Sequence, residues 1–323
     1  MRDFFQAANS YRDLHLSGHC YRDISSGNLM FDSKTGEVLI CDNDNVGVNC
    51  QSKCQVWGTM EYMAPELVRG EVDPSTATDL HSLAVLLFNL WVWHHPLHGE
   101  MEYQLRSWDL VAKKQLYGKT PVFIFDPADT RNRLPTDAEY STAAKRWSHC
   151  PASLQNMFTR SFTVGLTERG KRVTEGEWQG LFQQLKDCVL TCTGCQAANL
   201  WDSSTTAMNC WNCRMAIAVP PKLVFDHFGH KHYVLLTKGA KILKRHVDNL
   251  TAEDQGQVVV GQVVQNPSNP QVWGIRNLSS SPWAATFGWQ RRRSAAPKGS
   301  PSSDRIESQH PRRTCRDHFV SSR

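Results

Sequence analysis

The sequence lacks a long apolar run, an apolar leader and any repeated segment. Its most apolar stretch, Leu80 to Trp93, has fourteen residues and contains His and Asn, so it is too short to cross a bilayer and indicates a buried helix. The opening MRDFFQAANSYRD is polar and amphipathic and indicates neither a signal peptide nor an anchor. Without repeats, a solenoid array is excluded. We expect a globular protein with no membrane partner.

Basic charge is scarce outside the C-terminal tail. The formal net charge is +5, but residues 288–323 carry nine Lys or Arg against three Asp or Glu, which leaves −1 for the remaining chain. A body of this charge presents no basic face, so nucleic acid is not expected as a partner. Nucleic-acid binding through the tail and the cysteine motif described below is the weakest alternative.

Hydrophobic patterns predict a multidomain α+β protein. Apolar residues at helical spacing favour helices over residues 4–20, 64–68, 80–93, 102–117, 152–162 and 175–190. Alternating, β-branched segments favour strands in LMF, EVLIC, YVLLT, AKILKRHV, GQVVVGQVV and QVWGIRNL. The first two of these flank a turn signal at residues 33–36 and form an expected hairpin.

Three oxygen-bearing side chains follow one another in residues 21–44, YRDISSGNLMFDSKTGEVLICDND. Phosphoryl transfer needs a group that orients the attacking hydroxyl, which suits Asp23. It also needs oxygen ligands for magnesium, which suits Asn28 and Asp42. The hairpin should bring Asn28 and Asp42 back beside Asp23. Taken alone, an Asp and an Asn at this spacing are equally typical of a surface turn.

Further motifs downstream change that balance. GTMEYMAPE (58–66), TDLHSLAVLLFNLWVWHHPLHG (78–99) and RVTEGEW (172–178) follow in order. Together with YRDISSGN and DND, they resemble the C-terminal lobe of a protein serine/threonine kinase over roughly residues 5–188. The resemblance implies ATP and Mg²⁺ as cofactors and proteins as substrates or signalling partners.

The resemblance also implies a role for each matching residue. Asp23 would be the catalytic base, and Asn28 and Asp42 would bind magnesium. YRDISSGN (21–28) would be the catalytic loop, and Arg22 would tie it to the activation segment, which GTMEYMAPE (58–66) closes. Thr59 resembles the threonine that hydrogen-bonds near the catalytic aspartate and favours serine or threonine substrates. The expected structural residues are Glu66, which would pair with Arg172, and Asp79, which would accept backbone hydrogen bonds from the catalytic loop.

The sequence departs from the family pattern at four positions and in its first residues. Tyr21 replaces a histidine, Asn43 and Asp44 replace Phe and Gly, and Ser25 stands where a lysine normally faces the transferred phosphate. Residues 1–20 contain no Gly-rich loop and no lysine. We therefore expect a fragment without an N-terminal lobe, inactive alone. The alternative is a pseudokinase-type scaffold that binds partners through its C-terminal modules.

A four-cysteine motif follows the helical region. Cys192-x2-Cys195 and Cys210-x2-Cys213 are separated by fourteen residues, a spacing that lets four thiolates converge on Zn²⁺. We expect a structural zinc ribbon at residues 189–218, with two disulfides or redox pairs as the alternatives. The eleven cysteines are an odd number and favour a reduced, cytoplasmic protein. Some bacterial kinase-like proteins are similar in carrying a zinc ribbon directly after the kinase lobe, and DISSGN (23–28) with LICDNDNV (39–46) resembles that group.

The remaining sequence predicts a β-sandwich-like domain and a tail. Residues 219–287 loosely resemble a forkhead-associated domain, but without the residues that would bind phosphothreonine. The histidines of HFGHKHY (227–233) are expected to be solvated rather than metal ligands. Residues 288–323 are expected to be a basic disordered tail or the product of a reading-frame shift near Phe287. Read one base later, codons permitted for residues 293–300 give EVPPQRA.

Overall fold

The protein forms two compact units, Met1–Gln183 and Gln184–Arg323. The computed structural model describes residues 2–32, 34–50, 57–203, 205, 207–227, 230–237, 239–248, 256–266, 268–287, 290–294 and 316–319. The boundary lies within a helix, before the one expected at residue 188. The second unit holds the segments for which the sequence predicts a ribbon, a β-rich domain and a tail.

The first unit is mainly helical. Its α-helices are α1 (Arg2–Leu16), α2 (Pro65–Val68), α3 (Thr76–Val92), α4 (Glu100–Tyr103), α5 (Leu110–Lys114), α6 (Ser141–Ser148), α7 (Ala152–Phe162), α8 (Val164–Thr167) and α9 (Glu175–Asp187), whose last residues enter the second unit. Two antiparallel strand pairs complete it: β1 (His19–Cys20) with β4 (Gly47–Val48), and β2 (Leu29–Phe31) with β3 (Val38–Ile40). None of the helices in the described ranges combines the length and apolar composition that crossing a bilayer requires.

Most predicted helices are observed with shifted ends, but the helix predicted over 102–117 is interrupted. Helix α4 ends at Tyr103 and α5 begins only at Leu110. The side chain of Asp109 accepts a hydrogen bond from the backbone N–H of Ala112 at 2.9 Å, and the Ser107 hydroxyl donates to the same carboxylate. This N-cap starts a new helix, which a π-helical turn, Gln115–Lys119, continues.

Helix α3 forms the centre of the first unit. Eleven of its 17 residues are buried, so the helix is enclosed on most sides. The ring of Phe88 is fully buried. It contacts three other aromatic rings at centroid distances of 5.1–5.7 Å: Phe123, Phe158 and Phe162. The predicted long buried helix therefore lies at the middle of the core.

A buried ion pair joins α2 to the segment before α9. The guanidinium of Arg172 donates to Oε2 of Glu66 at 2.8 Å, and the two side chains are 2% and 6% exposed. Arg172 also donates to the carbonyl oxygens of Gly165 and Ala77 at 2.9 and 2.7 Å. Because these carbonyls belong to α8 and α3, one arginine links three helices.

The second unit is built from short strands. They are β5 (Val189–Thr191), β6 (Ala198–Leu200), β7 (Met208–Asn209), β8 (Ala216–Ile217), β9 (Lys222–His227), β10 (His230–Leu235), β11 (Lys241–Leu243), β12 (Val259–Asn266), β13 (Asn269–Asn277), β14 (Trp283–Phe287), β15 (Gln290–Ser294) and β16 (Arg316–Phe319), with a one-turn helix, α10 (Lys244–Val247). Strands β5–β6 and β7–β8 form separate hairpins. The others form two sheets, in the orders β10-β9-β16-β14-β15 and β11-β12-β13.

The two sheets share one apolar cluster. Leu223, Phe225 and Val234 of the first sheet lie in the same buried cluster as Ile242 and Val263 of the second. This packing is that of a small sandwich. The forkhead-associated resemblance stays a prediction.

Two details differ from the expected β-rich region. The segment AKILKRHV is a strand only as far as Leu243. There it turns into α10, because the Leu243 backbone N–H donates to Nδ1 of His246 at 3.1 Å. In the tail expected to be disordered, Gln290–Ser294 and Arg316–Phe319 are strands of the first sheet. The remaining residues of 288–323 lie outside the described part of the chain.

Replacing Phe88 by Ala should lower the free energy of unfolding of the first unit by about 3–5 kcal/mol, since it removes a buried ring and leaves a cavity. Val111→Ala is the control, because this side chain is 75% exposed and its loss should change stability by less than about 0.5 kcal/mol. Urea denaturation measures both. Equal costs for the two variants would contradict the central place of Phe88.

Replacing Glu66 by Ala should cost about 3–5 kcal/mol, because Arg172 would remain buried without its counter-ion. Glu71→Ala is the matched control: its pair with Arg69 is 33% and 53% exposed and should contribute less than about 1 kcal/mol. Thermal and urea unfolding would distinguish the two. A cost for Glu66→Ala no larger than that of the control would show that the buried pair does not hold the helices together.

Candidate active site

The side chain of Asp23 is held by two of the residues expected to share its site. Its Oδ1 accepts hydrogen bonds from the backbone N–H and the hydroxyl of Thr59, both at 2.8 Å. Its Oδ2 accepts from Nδ2 of Asn28 at 3.1 Å, and the same Nδ2 donates to the Asp23 carbonyl at 2.9 Å. Three donors thus hold the Asp23 carboxylate in one orientation. A general base needs such a fixed orientation towards the proton that it accepts.

A glycine allows Thr59 to approach the loop so closely. Gly58 has φ +96°, a conformation that strongly favours glycine. A Cβ atom at this position would lie 2.6 Å from the carbonyl oxygen of Arg22. The GT pair of GTMEYMAPE is therefore needed for backbone shape as well as for the Thr59 hydroxyl.

The hairpin carries Asp42 back towards Asn28. Strands β2 and β3 pair antiparallel, and the backbone N–H of Cys41 donates to the Asn28 carbonyl at 2.9 Å. Asp42 follows directly, with φ 56° in the left-handed region. The hydroxyl of Tyr21 donates to the carbonyl oxygens of Cys41 and Asp42 and so links the catalytic loop to this turn.

Asn28 and Asp42 offer a donor set that fits magnesium. The Asp42 carboxylate is exposed, and among the described residues none donates a hydrogen bond to it. Asn28 uses its Nδ2 to bind Asp23, so its Oδ1 takes no part in those bonds. Carboxylate and amide oxygens are hard ligands of the kind Mg²⁺ prefers.

The buried side chain of Asp79 fixes the backbone of the catalytic loop. It is 1% exposed and accepts hydrogen bonds from the backbone N–H groups of Tyr21 and Arg22, at 2.5 and 3.0 Å. Nε2 of His15 lies 3.0 Å from the same carboxylate, and Nδ1 of His15 hydrogen-bonds to Glu175. No motif in the sequence marks His15 or Glu175 as part of this site. Their contact spans 160 residues and leaves no local pattern.

His15 carries a positive charge at neutral pH. Burial lowers its pKa, but the hydrogen bonds and charges of Asp79 and Glu175 outweigh burial and raise the pKa to about 9. The result is an imidazolium between two carboxylates. It offsets part of the cost of burying Asp79.

The positions that depart from the family pattern also have defined surroundings. Ser25 is buried and uncharged, so the position at which the family carries its lysine supplies no cation. Asn43 and Asp44 are exposed in a one-turn 3₁₀ helix and supply no apolar plug. The guanidinium of Arg22 lies where a Cβ atom of Gly47 would be, 2.0 Å from Nη2, so Gly47 leaves room for it.

The four cysteines of the second unit converge. Their Sγ atoms all lie within 4.8 Å of one another. The Cys192–Cys213 and Cys195–Cys210 Sγ distances are both 3.5 Å, far longer than a disulfide bond of about 2.05 Å. They are close to the edge of a tetrahedron around zinc, about 3.8 Å for Zn–S bonds of about 2.3 Å. Four thiols in this arrangement fit Zn²⁺.

The two cysteine pairs sit in matching turns at the tips of the β5–β6 and β7–β8 hairpins. The carbonyl oxygens of Cys192 and Cys210 each accept a 3.0 Å hydrogen bond from a backbone N–H four residues later. Those later residues, Gln196 and Arg214, have φ 60° and 63°. Burial raises the pKa of Cys210, but hydrogen bonds from the backbone N–H groups of residues 213 and 212 outweigh it and lower the pKa.

A second cluster of possible ligands does not fit a metal. Nε2 of His232 and Nε2 of His246 lie 2.9 and 3.1 Å from Oδ2 of Asp187, but the guanidinium of Arg245 lies 2.9 Å from the same oxygen. The Leu243 N–H donates to Nδ1 of His246, so the neutral ring carries its proton on Nε2. A metal would have to displace that proton beside a guanidinium. His232, expected to be solvated, is therefore part of a hydrogen-bonded ion pair.

The free energy of unfolding of the first unit should fall as the pH rises from 6.5 through 9. His15 has a folded pKa of about 9 against about 6.5 unfolded, so its contribution is complete below pH 6.5 and is lost above 9. His15→Gln should remove this slope, which amounts to at most about 3 kcal/mol. Urea denaturation at a series of pH values measures it. His19→Gln is the control and should keep the wild-type slope. An unchanged slope in His15→Gln would refute the buried imidazolium.

Comparison with known proteins agrees with the geometry of the site. Residues 4–169, just over half of the chain, match the family described as protein kinase domain. Protein kinase gsk31 of Schizosaccharomyces pombe is 25% identical over 197 residues, which are 58% of this chain and 50% of that protein. Serine/threonine-protein kinase sck2 of the same yeast is 32% identical over 98 residues, 28% of this chain and 15% of that protein. Ribosomal protein S6 kinase alpha-4 of Homo sapiens is 34% identical over 97 residues, 28% of this chain and 12% of that protein.

The chain spans half or less of the length of these curated relatives. All three relatives are eukaryotic, so the expected bacterial type stays a prediction. The match covers the catalytic loop, the hairpin, Thr59 and the buried helix α3. The chain belongs to the protein kinase domain family.

Proposed function

We propose that the protein transfers a phosphoryl group from ATP to serine or threonine side chains of protein substrates, although residues 1–20 lead us to expect a chain that is inactive alone. The observation that carries this proposal is the fixed carboxylate of Asp23, held by the backbone and hydroxyl of Thr59 and by Asn28. A carboxylate in this position can orient a substrate hydroxyl and receive its proton. Serine/threonine kinase relatives support the same chemistry.

Each site residue has a proposed task. Asn28 and Asp42 hold Mg²⁺ with their side-chain oxygens, and the metal neutralises the phosphate charges of ATP. Arg22 connects the catalytic loop to the activation segment, and its backbone N–H is fixed by Asp79. Glu66, Arg172 and Asp79 are structural. They hold the lobe that positions Asp23.

We assign Zn²⁺ to Cys192, Cys195, Cys210 and Cys213. Four thiolates close the tetrahedron and leave no open coordination position, so this site is structural rather than catalytic. A reduced compartment such as the cytoplasm suits both the free thiols and the proposed use of ATP.

A pseudokinase-type scaffold is the second candidate. The buried, uncharged Ser25 supports it, because this residue cannot supply the cation that the family's lysine directs at the transferred phosphate. The exposed Asn43 and Asp44 support it as well, since they cannot act as the apolar switch of the family. In this case the second unit would bind partners and the first unit would only hold its shape.

Binding of magnesium and ATP separates the two candidates. If the protein is a kinase, ATP with MgCl₂ should raise the melting temperature of the full chain by roughly 5–10 °C at about 100-fold excess over Kd. Asp42→Asn should abolish the magnesium-dependent part of the rise, because it removes a ligand carboxylate. Asp44→Asn is the matched control, an exposed acid two residues away, and should keep it.

Phosphoryl transfer itself is measured with a serine/threonine peptide library and radiolabelled ATP. Asp23→Asn should reduce the rate by at least about 100-fold, the usual contribution of a general base, without lowering the melting temperature. Asp13→Asn, an acid on α1, should leave the rate unchanged. A magnesium–ATP shift without any transfer, or no shift at all, would support the scaffold and sink the kinase proposal.

A further inference from the structure

The cysteine module and the β-rich part of the second unit share a buried cluster, which we call the Trp201 cluster. Its fully packed members are Cys188, Leu190, Trp201 and Leu235. Leu190 belongs to β5 and Trp201 follows β6, whereas Leu235 belongs to β10 of the five-stranded sheet. Met208 of β7 and Ile217 of β8 pack against the same cluster.

Trp201 is the centre of this cluster. It is 2% exposed and lies in the sequence between the two cysteine pairs. Its backbone N–H donates to the carbonyl of Cys188 at 2.8 Å, and its indole N–H donates to the carbonyl of Thr205 at 2.9 Å. Its ring meets Tyr233 of β10 edge to face at 5.7 Å. The ammonium of Lys222 lies 4.5 Å from the ring centroid of Trp201.

The outer edge of β10 is hydrogen-bonded to Gln184, which also contacts the Trp201 cluster. Strand β10 is the last strand of its sheet, so among the described strands none pairs with its outer backbone groups. The side chain of Gln184 takes that place at Tyr233. It accepts from the Tyr233 N–H at 2.9 Å and donates to the Tyr233 carbonyl at 3.1 Å. Nε2 of Gln184 also lies 2.9 Å from Sγ of Cys188, so the edge and the Trp201 cluster are continuous.

The hairpins that carry the cysteines cannot form this surface unaided. Strands β5 to β8 have only two or three residues each, and isolated hairpins of this size are marginal in water. A structural zinc ion supplies the missing free energy in such modules, so binding and folding are one process. Without metal, Leu190, Trp201, Met208 and Ile217 lose the backbone that holds them against β10.

We propose that metal in the four-cysteine centre controls the folding of the β-rich part of the second unit, acting through the Trp201 cluster. The proposal rests on the assignment of Zn²⁺ to the four cysteines and goes beyond it. The metal then controls the fold of the β-rich part as well as the fold of residues 189–217. Removing the metal releases Leu235 and the β10 edge.

Hydrogen–deuterium exchange of the full chain, read by mass spectrometry, tests the coupling. The zinc-loaded protein and protein stripped with a strong chelator are compared, with the metal content of each measured by plasma mass spectrometry. Metal removal should speed exchange by at least about tenfold in peptides over 189–217, over β10 and over β12. Peptides over α3 of the first unit are the internal control and should not change. Fast exchange confined to 189–217 would overturn the proposal.

Two tryptophan variants separate the cluster from the metal itself. Trp201→Ala keeps all four cysteines, so it should retain one zinc ion per chain and yet raise exchange over β10 to the level of the stripped protein. Trp211→Ala removes an indole that is 46% exposed and that donates to the Ala198 carbonyl outside the Trp201 cluster, so exchange over β10 should stay at the wild-type level. Wild-type exchange over β10 in Trp201→Ala would overturn the coupling.

The metal content also distinguishes the two assignments on which the proposal stands. Purified protein without bound metal, and without zinc uptake on titration, would overturn the zinc centre and the coupling together. One bound zinc per chain with an unchanged β10 would overturn the coupling alone. Neither result bears on the kinase assignment of the first unit, which rests on Asp23 and its neighbours.

Discussion

The carboxylate of Asp79 is the interaction on which the first unit depends. Two consecutive backbone N–H groups of the catalytic loop end on it, and the charged ring of His15 lies on its other side. A buried carboxylate is costly unless donors surround it, so the loop, α1 and α3 must meet at one point. Asp23 follows directly after Tyr21 and Arg22, so the hydrogen bonds of Asp79 set the position of its backbone. Thr59 and Asn28 then orient its side chain.

Local patterns predicted much of the fold and most of the site. The apolar run in α3, the turn signal between β2 and β3 and the spacing of the cysteine pairs each depend on residues close in sequence, and each is observed as expected. The kinase motifs likewise predicted that Asn28 and Thr59 lie beside Asp23. Each motif is weak by itself, but their order along the chain is specific. The hairpin brings Asp42 back towards Asn28 as the alternation of its strands predicts. The roles assigned to these residues stay proposals.

Contacts between distant residues could not be predicted in the same way. His15 and Glu175 are 160 residues apart, and neither belongs to a motif that marks a buried charge. The Asp109 side chain caps α5 and so divides one expected helix into two. Such a cap depends on local hydrogen bonds of the side chain with the backbone, and the spacing of apolar residues does not reveal them. The Trp201 cluster joins segments that composition assigns to different domains. In each case side-chain packing and hydrogen bonding, rather than sequence pattern, decide the outcome.

The sequence separation of the main contacts has a consequence for how the chain folds. The thiols of Cys192 and Cys213 are 21 residues apart, whereas Glu66 and Arg172 are 106 apart. Closing long loops costs more chain entropy and is slow, so the cysteine hairpins can form within a short nascent segment. The first unit, although synthesised first, must wait for Arg172 to emerge before the buried Glu66 carboxylate is compensated. It must wait for Glu175 before the His15 ring has its second carboxylate partner. During synthesis, the kinase unit therefore closes only when its last helix is made.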